Sequence, residues 1–411
     1  MTVHIERTTG ELAFTMAVLM VAVFTVSVGY GVVLPLLPEL IERLLGAETK
    51  AAEVSRHTGL LTAVYTLSLF LSAPLWGRLA DRRGSRGVLL FGLLGFGVTM
   101  LLFSFVASPA AVYTGRVLSG VFAAAVTPVA AAVVGNFPMT ERGRARRLAF
   151  VSMAGIAGFL LGPMLGVFIS RFSADFLTMP AGSLAAPLAA TALLAFLVAS
   201  AVAVAVPGKG TLDRSQKTAL ISIDTDTWLV LRLLILTFIV SSGIGVFEVG
   251  LALRGRQELG LTPYQTALMF TECSLVMFAM QAIVFSPRFR PDLTRWLIAP
   301  ALAVLAAGLF LVPWASDFKL MLVVIGAVAA SAGILAPILT YWISAKAGRA
   351  QGWELGKQAA ASSLGFTLGS AAGGLLFAFA GLPGASFVLM AMLAVFGFVL
   401  SLKLPRLLAP P

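Results

Sequence analysis

Histidine and cysteine are almost missing from this chain. Of 411 residues, two are histidine (His4 and His57) and one is cysteine (Cys273). A lone cysteine cannot form an internal disulfide, so thiol usage says nothing about the redox compartment. Both histidines fall outside the apolar runs, which argues against a histidine-based metal site, and no metal is expected. An intramembrane enzyme would need a nucleophile–base set, paired Asp residues or a metal cluster; there is no interior histidine and no His-Glu-x-x-His run. Nothing calls for a cofactor. Charge is scarce as well: Asp, Glu, Lys and Arg make up 11% of the chain, against about 25% in soluble globular proteins. Hydrophobic residues make up 59% and mean hydropathy is +0.97. These values describe a polytopic membrane protein.

The few charges sum to +11. A nucleic-acid partner is excluded, because the basic residues are spread over many short connections and form no single patch. At the N-terminus, Glu6, Arg7 and Glu11 lead into an apolar run ending near Pro38. That run is too long for a signal-peptide core and lacks a small-residue cleavage site, so it reads as a retained first helix.

Twelve apolar spans are predicted, at 12–38, 58–76, 87–107, 109–135, 147–170, 183–206, 228–253, 263–286, 294–314, 318–345, 355–380 and 384–403. Each is close to the ~20 residues needed to cross a bilayer. The longest polar interval, 207–227, divides the chain into a first unit (1–206), a linker and a second unit (228–411), with six spans in each. With the N-terminus inside, the inner segments hold twenty Lys and Arg and the outer ones seven. That positive-inside bias puts both termini in the cytoplasm of a multi-pass cell-membrane protein.

The halves repeat. Val26–Val32 resembles Val240–Val246, and Gly158-Phe159-Leu160-Leu161-Gly162 matches Gly365-Phe366-Thr367-Leu368-Gly369. The shared order of the matches points to duplication. A parallel duplication places a pseudo-twofold axis along the membrane normal and a binding site between the halves.

Between the second and third spans lies the charged stretch Gly77-Arg78-Leu79-Ala80-Asp81-Arg82-Arg83-Gly84-Ser85-Arg86-Gly87. It is predicted to be a tight turn, with Gly84 and Gly87 supplying turn freedom. Its arginines fit an ordinary basic cytoplasmic loop; its single acid, Asp81, does not. Arg116 lies roughly 10 Å along the fourth span at 1.5 Å per residue. At that depth it must face the protein interior and meet an acceptor, as a structural contact or as part of the transport chemistry. Gly158, Gly162 and Gly166 recur every four residues on one helix face, which permits close approach of a neighbour. Pro163 within the stripe is expected to bend or weaken the helix.

Taken together these motifs resemble the major facilitator superfamily. The Gly77–Arg86 stretch is similar to its signature between helices 2 and 3. Arg116-Val117-Leu118-Ser119-Gly120 is similar to its Arg-x-x-x-Gly element. Gly158 to Gly166, with Pro163, resembles the element of the drug/proton antiporter branch, with Val167 as a departure. The resemblance implies an all-α fold of two six-helix bundles, and alternating access. It implies proton coupling through Arg116, a seal at Gly158, Gly162, Pro163 and Gly166, and a conformational latch at Gly77, Asp81, Arg82, Gly84 and Arg86. Asp81 would then engage an arginine, with Arg142 and Arg144 as candidates, or the backbone at 353–356.

Two carboxylates lie within the spans. Glu272 is about nine residues into the eighth span; Glu248 is near the outer end of the seventh, a position open to contact with outer water. A carboxyl removed from water is favoured in its neutral form, so such a group can load and release a proton. Spans 1 to 6 carry no obvious interior acid. Tyr30, Tyr65, Met269, Met277, Gln281, Tyr341 and Trp342 are candidate cavity residues, each also compatible with plain packing. The reading that follows is a monomeric secondary transporter exporting small apolar or cationic compounds against protons. The alternative is a proton-coupled carrier for one metabolite: a sugar, siderophore or amino-acid derivative.

Overall fold

The computed structural model describes residues 9–46, 50–106, 108–135, 141–177, 185–206, 227–284, 293–346, 351–377 and 384–408. An apolar run with no water around it must satisfy its peptide groups internally, and the helix does this within one segment. The described residues contain helices and no strands.

The elements are α1 (Thr9–Val33), a 3-10 turn and α2 (Leu37–Leu45), α3 (Ala51–Arg83), α4 (Ser85–Phe103), α5 (Pro109–Ala123) and α6 (Thr127–Gly135). They continue with α7 (Glu141–Leu177), α8 (Ala185–Ala205), α9 (Thr227–Gln257), α10 (Pro263–Val284), α11 (Thr294–Leu311) and α12 (Phe318–Lys346). The chain ends with α13 (Gln351–Phe377), α14 (Ala385–Ser401) and α15 (Leu404–Leu407). Among the described residues, eleven stretches are long and apolar enough to cross a membrane, and the 17-residue α14 supplies the twelfth span. The first span is interrupted where Pro35 and Pro38 remove backbone donors. The fourth is two helices, α5 and α6, joined by a turn at residues 124–126. By contrast, α7 runs unbroken through Pro163.

The halves use the same packing twice. On α7, a Cβ at Gly158 would strike Phe24 O and Ser27 Cβ, one at Gly162 would meet Val28 O and Gly31, and one at Gly166 would meet Val32. On α13, Gly365 has the same relation to Phe238 O and Ser241, Gly369 to Ser242, and Gly373 to Val246. The sequence repeat is therefore also a repeat of helix-on-helix contacts, α7 against α1 and α13 against α9. The architecture is two six-helix bundles related by a pseudo-twofold.

The halves meet along α3–α13 and α7–α10. Gly59 and Gly374 are in backbone contact: a Cβ on either would lie 2.5 Å from the other's Cα. Ser55 Oγ donates to Gln257 Oε1 at 3.3 Å, and Gln257 Nε2 donates to Ala51 O at 3.2 Å. Arg256 pairs with Glu42 at 3.0 Å, and Arg171 lies over the Tyr264 ring at 5.2 Å. All of these contacts lie towards the bundle end that carries α2 and Lys50.

The charged stretch differs from the predicted turn. Helix α3 continues to Arg83, so Gly77 to Arg83 form its last turns. Only Gly84 breaks the helix, at φ +95°, a conformation in which a side chain would be strained. Gly87 lies inside α4 and supplies no turn. The linker 207–227 lies outside the described residues, apart from Thr227 at the start of α9.

Candidate functional site

Two close helix approaches build the site. Gly31 and Gly162 bring α1 against α7, which sets the Phe159 ring 5.6 Å from that of Tyr30. Gly120 brings α5 onto α3, since a Cβ there would lie 2.5 Å from Tyr65 O. One helical turn before Gly120, Arg116 thereby arrives over Tyr65. From the second half, α9 reaches the group through the hydrogen bond between Tyr30 and Glu248.

Arg116 is 2% exposed. Its Cζ lies 4.4 Å from the Tyr65 ring centroid and 5.5 Å from that of Tyr30. Its Nε donates to Leu61 O at 3.3 Å, while Nη2 is buried without a hydrogen-bond partner. The predicted acceptor is thus a carbonyl and two aromatic faces rather than an acid. A guanidinium suits this setting, being planar and more weakly hydrated than an ammonium. The Tyr30 and Tyr65 rings stack at 5.0 Å, with 27° between their planes.

Tyr30 Oη donates to Glu248 Oε2 at 2.9 Å, across the boundary between the halves. Glu248 is 6% exposed, so it does not reach the outer water as its sequence position allowed. It lies nine residues before the end of α9, about 13 Å at 1.5 Å per residue. The stack extends into the second half through Phe159 and Phe270, edge to face at 6.5 Å.

Glu272 lies between α10 and α12, where a Cβ on Gly326 would be 3.6 Å from its Oε1. Its Oε2 and the neighbouring Thr271 Oγ1 are buried without partners. An unpartnered buried carboxyl oxygen carries a desolvation penalty that a bound donor or cation would remove.

The other candidates divide. Tyr65 belongs to the cluster. Met269 and Gln281 are buried on α10. Trp342 donates its indole N–H to Thr294 Oγ1 at 2.9 Å, inside the second bundle. Tyr341, at 40% exposure near the end of α12, stacks edge-on against Trp342 and is not brought to the Tyr30 group. The side chains of Asp81, Arg142, Arg144 and residues 353–356 lie outside the described residues, although their helices are described. Gly77 has nothing within 4 Å of where a Cβ would stand. Arg82 is exposed and Arg86 partly so.

Phe159, Phe270, Thr66 and Thr367 are interface residues with no motif of their own in the sequence. Phe159 sits within the Gly158–Gly162 motif, between its glycines. The paired glycines Gly373 and Gly374 were the available signal for the α3–α13 crossing.

The profile of the Major Facilitator Superfamily matches residues 19–353. The chain belongs to this superfamily. Among curated superfamily proteins it is 26% identical over 374 residues to Multidrug resistance protein 2 of Bacillus subtilis, covering 90% of this chain and 91% of that protein. It is 28% identical to Multidrug resistance protein 1 of the same organism over 371 residues, covering 88% and 90%. It is 26% identical to Quinolone resistance protein NorA of Staphylococcus aureus over 356 residues, covering 86% and 88%. Among solved structures, the human organic anion transporter MFSD10 superposes with a TM-score of 0.74 at 19% identity, covering 95% of this chain and 99% of that one. A bacterial homologue of the human lysosomal transporter Spinster, in an inward-facing and unoccupied conformation, gives 0.72 at 14% identity, with coverages of 97% and 98%. As a superfamily member the chain is a multi-pass membrane transporter of small molecules and not an enzyme.

Proposed function

We propose that this transporter exports small apolar or cationic compounds in exchange for protons, by alternating access and as a single chain. One observation carries the reading. Glu248 is a buried carboxyl at the boundary between the halves, hydrogen-bonded to Tyr30 with the cation of Arg116 one ring away. A titratable acid at the moving interface joins proton binding to the motion of the halves. The relatives named for multidrug and quinolone resistance support efflux as the direction.

In this reading both termini are cytoplasmic, so the α2 end faces outside and is closed. Glu248 is ionised while the carrier is open to the cytoplasm, and Glu272 offers its unpartnered oxygen to the positive group of a substrate. Protons entering from outside neutralise the carboxyls and release the cargo. The units 1–206 and 228–411 rock about the linker. The Gly158–Gly166 stripe keeps the outer side sealed. Asp81, with Gly77, Arg82, Gly84 and Arg86, latches the cytoplasmic ends in the opposite state.

The test is purified protein in liposomes with an imposed pH gradient and a panel of lipophilic cations. Cations should move against the proton flow, and Glu248→Gln should abolish the drive. Transport of a polar metabolite with no cation movement would establish the dedicated-metabolite carrier instead. Unchanged coupling in Glu248→Gln would overturn the role given to that residue.

A further inference from the structure

Tyr30 has no obvious reason to be a tyrosine if its task is only to fill space, because a phenylalanine would stack equally well. Its ring is fixed on two sides, by Tyr65 at 5.0 Å and Phe159 at 5.6 Å. That mounting leaves the hydroxyl one place to go, which is Glu248 Oε2 on the other half, at 2.9 Å. Behind the rings stands Arg116, a buried cation with one nitrogen unpartnered.

We infer that the Tyr30 hydroxyl is the positioning group through which the protonation state of Glu248 holds the halves together on the α2 side. The inference rests on the proton-coupled reading and names the residue that does the coupling. A phenol donating to a carboxylate makes a charge-assisted bond, roughly twice as strong as a neutral one. In a low-dielectric interior that difference grows. When a proton binds the carboxyl, Tyr30 loses its charged acceptor. The closed seam at this level is then weakened. The empty, ionised carrier is therefore held closed on this side, which suppresses its return without cargo or proton.

The groups facing Glu248 are few: Tyr30 from α1 and Cys273 from α10. Tyr65 from α3 and Arg116 from α5 face Tyr30 instead, and Glu272 faces Cys273. The described part of α14 carries no titratable group. Helices α12 and α13 hold theirs towards their ends, at Lys319, Tyr341, Lys346, Glu354 and Lys357. Tyr30 is thus the only described side chain from the first half that touches the Glu248 carboxyl by a hydrogen bond.

The test uses the full chain in lipid, in a Cys273→Ala background, with spin labels at cysteines replacing the exposed Lys50 and Lys319 on the α2 side. The distance between labels is measured from mildly alkaline to mildly acidic pH. The unmodified site should show the labels moving apart as pH falls. Tyr30→Phe, which keeps the ring stack, should be separated at every pH, and so should Glu248→Gln. If Tyr30→Phe keeps the pH-dependent shift, the inference is overturned. Should that variant fold poorly, Glu248→Gln decides: a persisting shift there also overturns it. Proton-driven flux by the unmodified carrier is scored separately. Its absence with the label shift intact counts against export alone and supports the role of Tyr30.

Discussion

The hydroxyl of Thr66 lies 3.1 Å from the hydroxyl of Thr367, midway along the seam between α3 and α13. Seven residues away on each helix, Gly59 and Gly374 touch backbone to backbone. The seam is closed by small residues whose fit leaves no room for a side chain, so it is either shut or parted.

A side chain at that crossing should therefore force the α2 end open. Gly374→Leu overpacks a backbone contact, at about 1–3 kcal/mol. That corresponds to roughly a 5- to 150-fold shift in population towards the parted state. The check is labelling of a Thr66→Cys reporter by an impermeant maleimide added from the α2 side. Labelling should rise in Gly374→Leu, and an unchanged rate would show that this crossing is not the closure.

The α7 stripe should tolerate changes unequally. A Cβ at Gly162 would come 2.9 Å from backbone atoms of Gly31, and neither helix can yield. At Gly166 the nearest atom is a Val32 methyl at 3.3 Å, which can turn aside. Gly162→Val should lower the melting temperature in detergent markedly, by an overpacking cost of about 1–3 kcal/mol. Gly166→Ala should melt close to the parent. Equal melting of the two variants would refute the α1–α7 account.

Arg116→Lys should not be a conservative change. The planar guanidinium spans two ring faces and a carbonyl, while an ammonium is a compact, strongly hydrated charge. Loss of the cation–π contacts is worth about 0.5–2 kcal/mol. Proton-driven efflux should fall in this variant, while the circular dichroism of the purified protein stays helical. Full efflux by Arg116→Lys would remove the arginine from the coupling scheme.

Cation binding should weaken as pH falls. Protonation removes the negative charge of Glu248 or Glu272, and the linkage is reciprocal, so a bound cation expels a proton. For one displaced proton, the dissociation constant rises about tenfold per unit of pH lowered through the titration range. Glu272→Gln should weaken a lipophilic monocation and leave a neutral analogue of the same shape unaffected, as read by tryptophan fluorescence. Equal loss for both ligands would make Glu272 a packing residue.

Gly77→Ala should leave melting of this conformation unchanged, because nothing stands within 4 Å of the new methyl. A drop in flux with unchanged melting would assign the glycine to a close contact in the opposite conformation. A drop in melting would contradict the open surroundings seen here.

The span pattern was legible because hydropathy is local: each run of about twenty apolar residues carries its own instruction. The glycine stripes were legible for a similar reason, since a period of four names a helix face whatever it packs against. The charged stretch was misread in part. Arginine-rich composition suggested a loop, but helical hydrogen bonds continue through Arg83 until Gly84 stops them. Tyr341 stands apart from the Tyr30 group, because depth along α12 does not reveal which neighbours a side chain meets.

The sequence by itself determined that this chain crosses a membrane about twelve times, in two repeated halves, with two acids inside the second. Those are properties of composition and short-range period. Only the tertiary structure decided which acid meets the first half. Tyr30 and Glu248 are 218 residues apart. Glu248 and Glu272 look alike along the chain, each an acid in an apolar run. Their difference arises from the neighbours that packing supplies: a stacked phenol for one, and for the other a glycine with no hydrogen-bond donor to its buried oxygen.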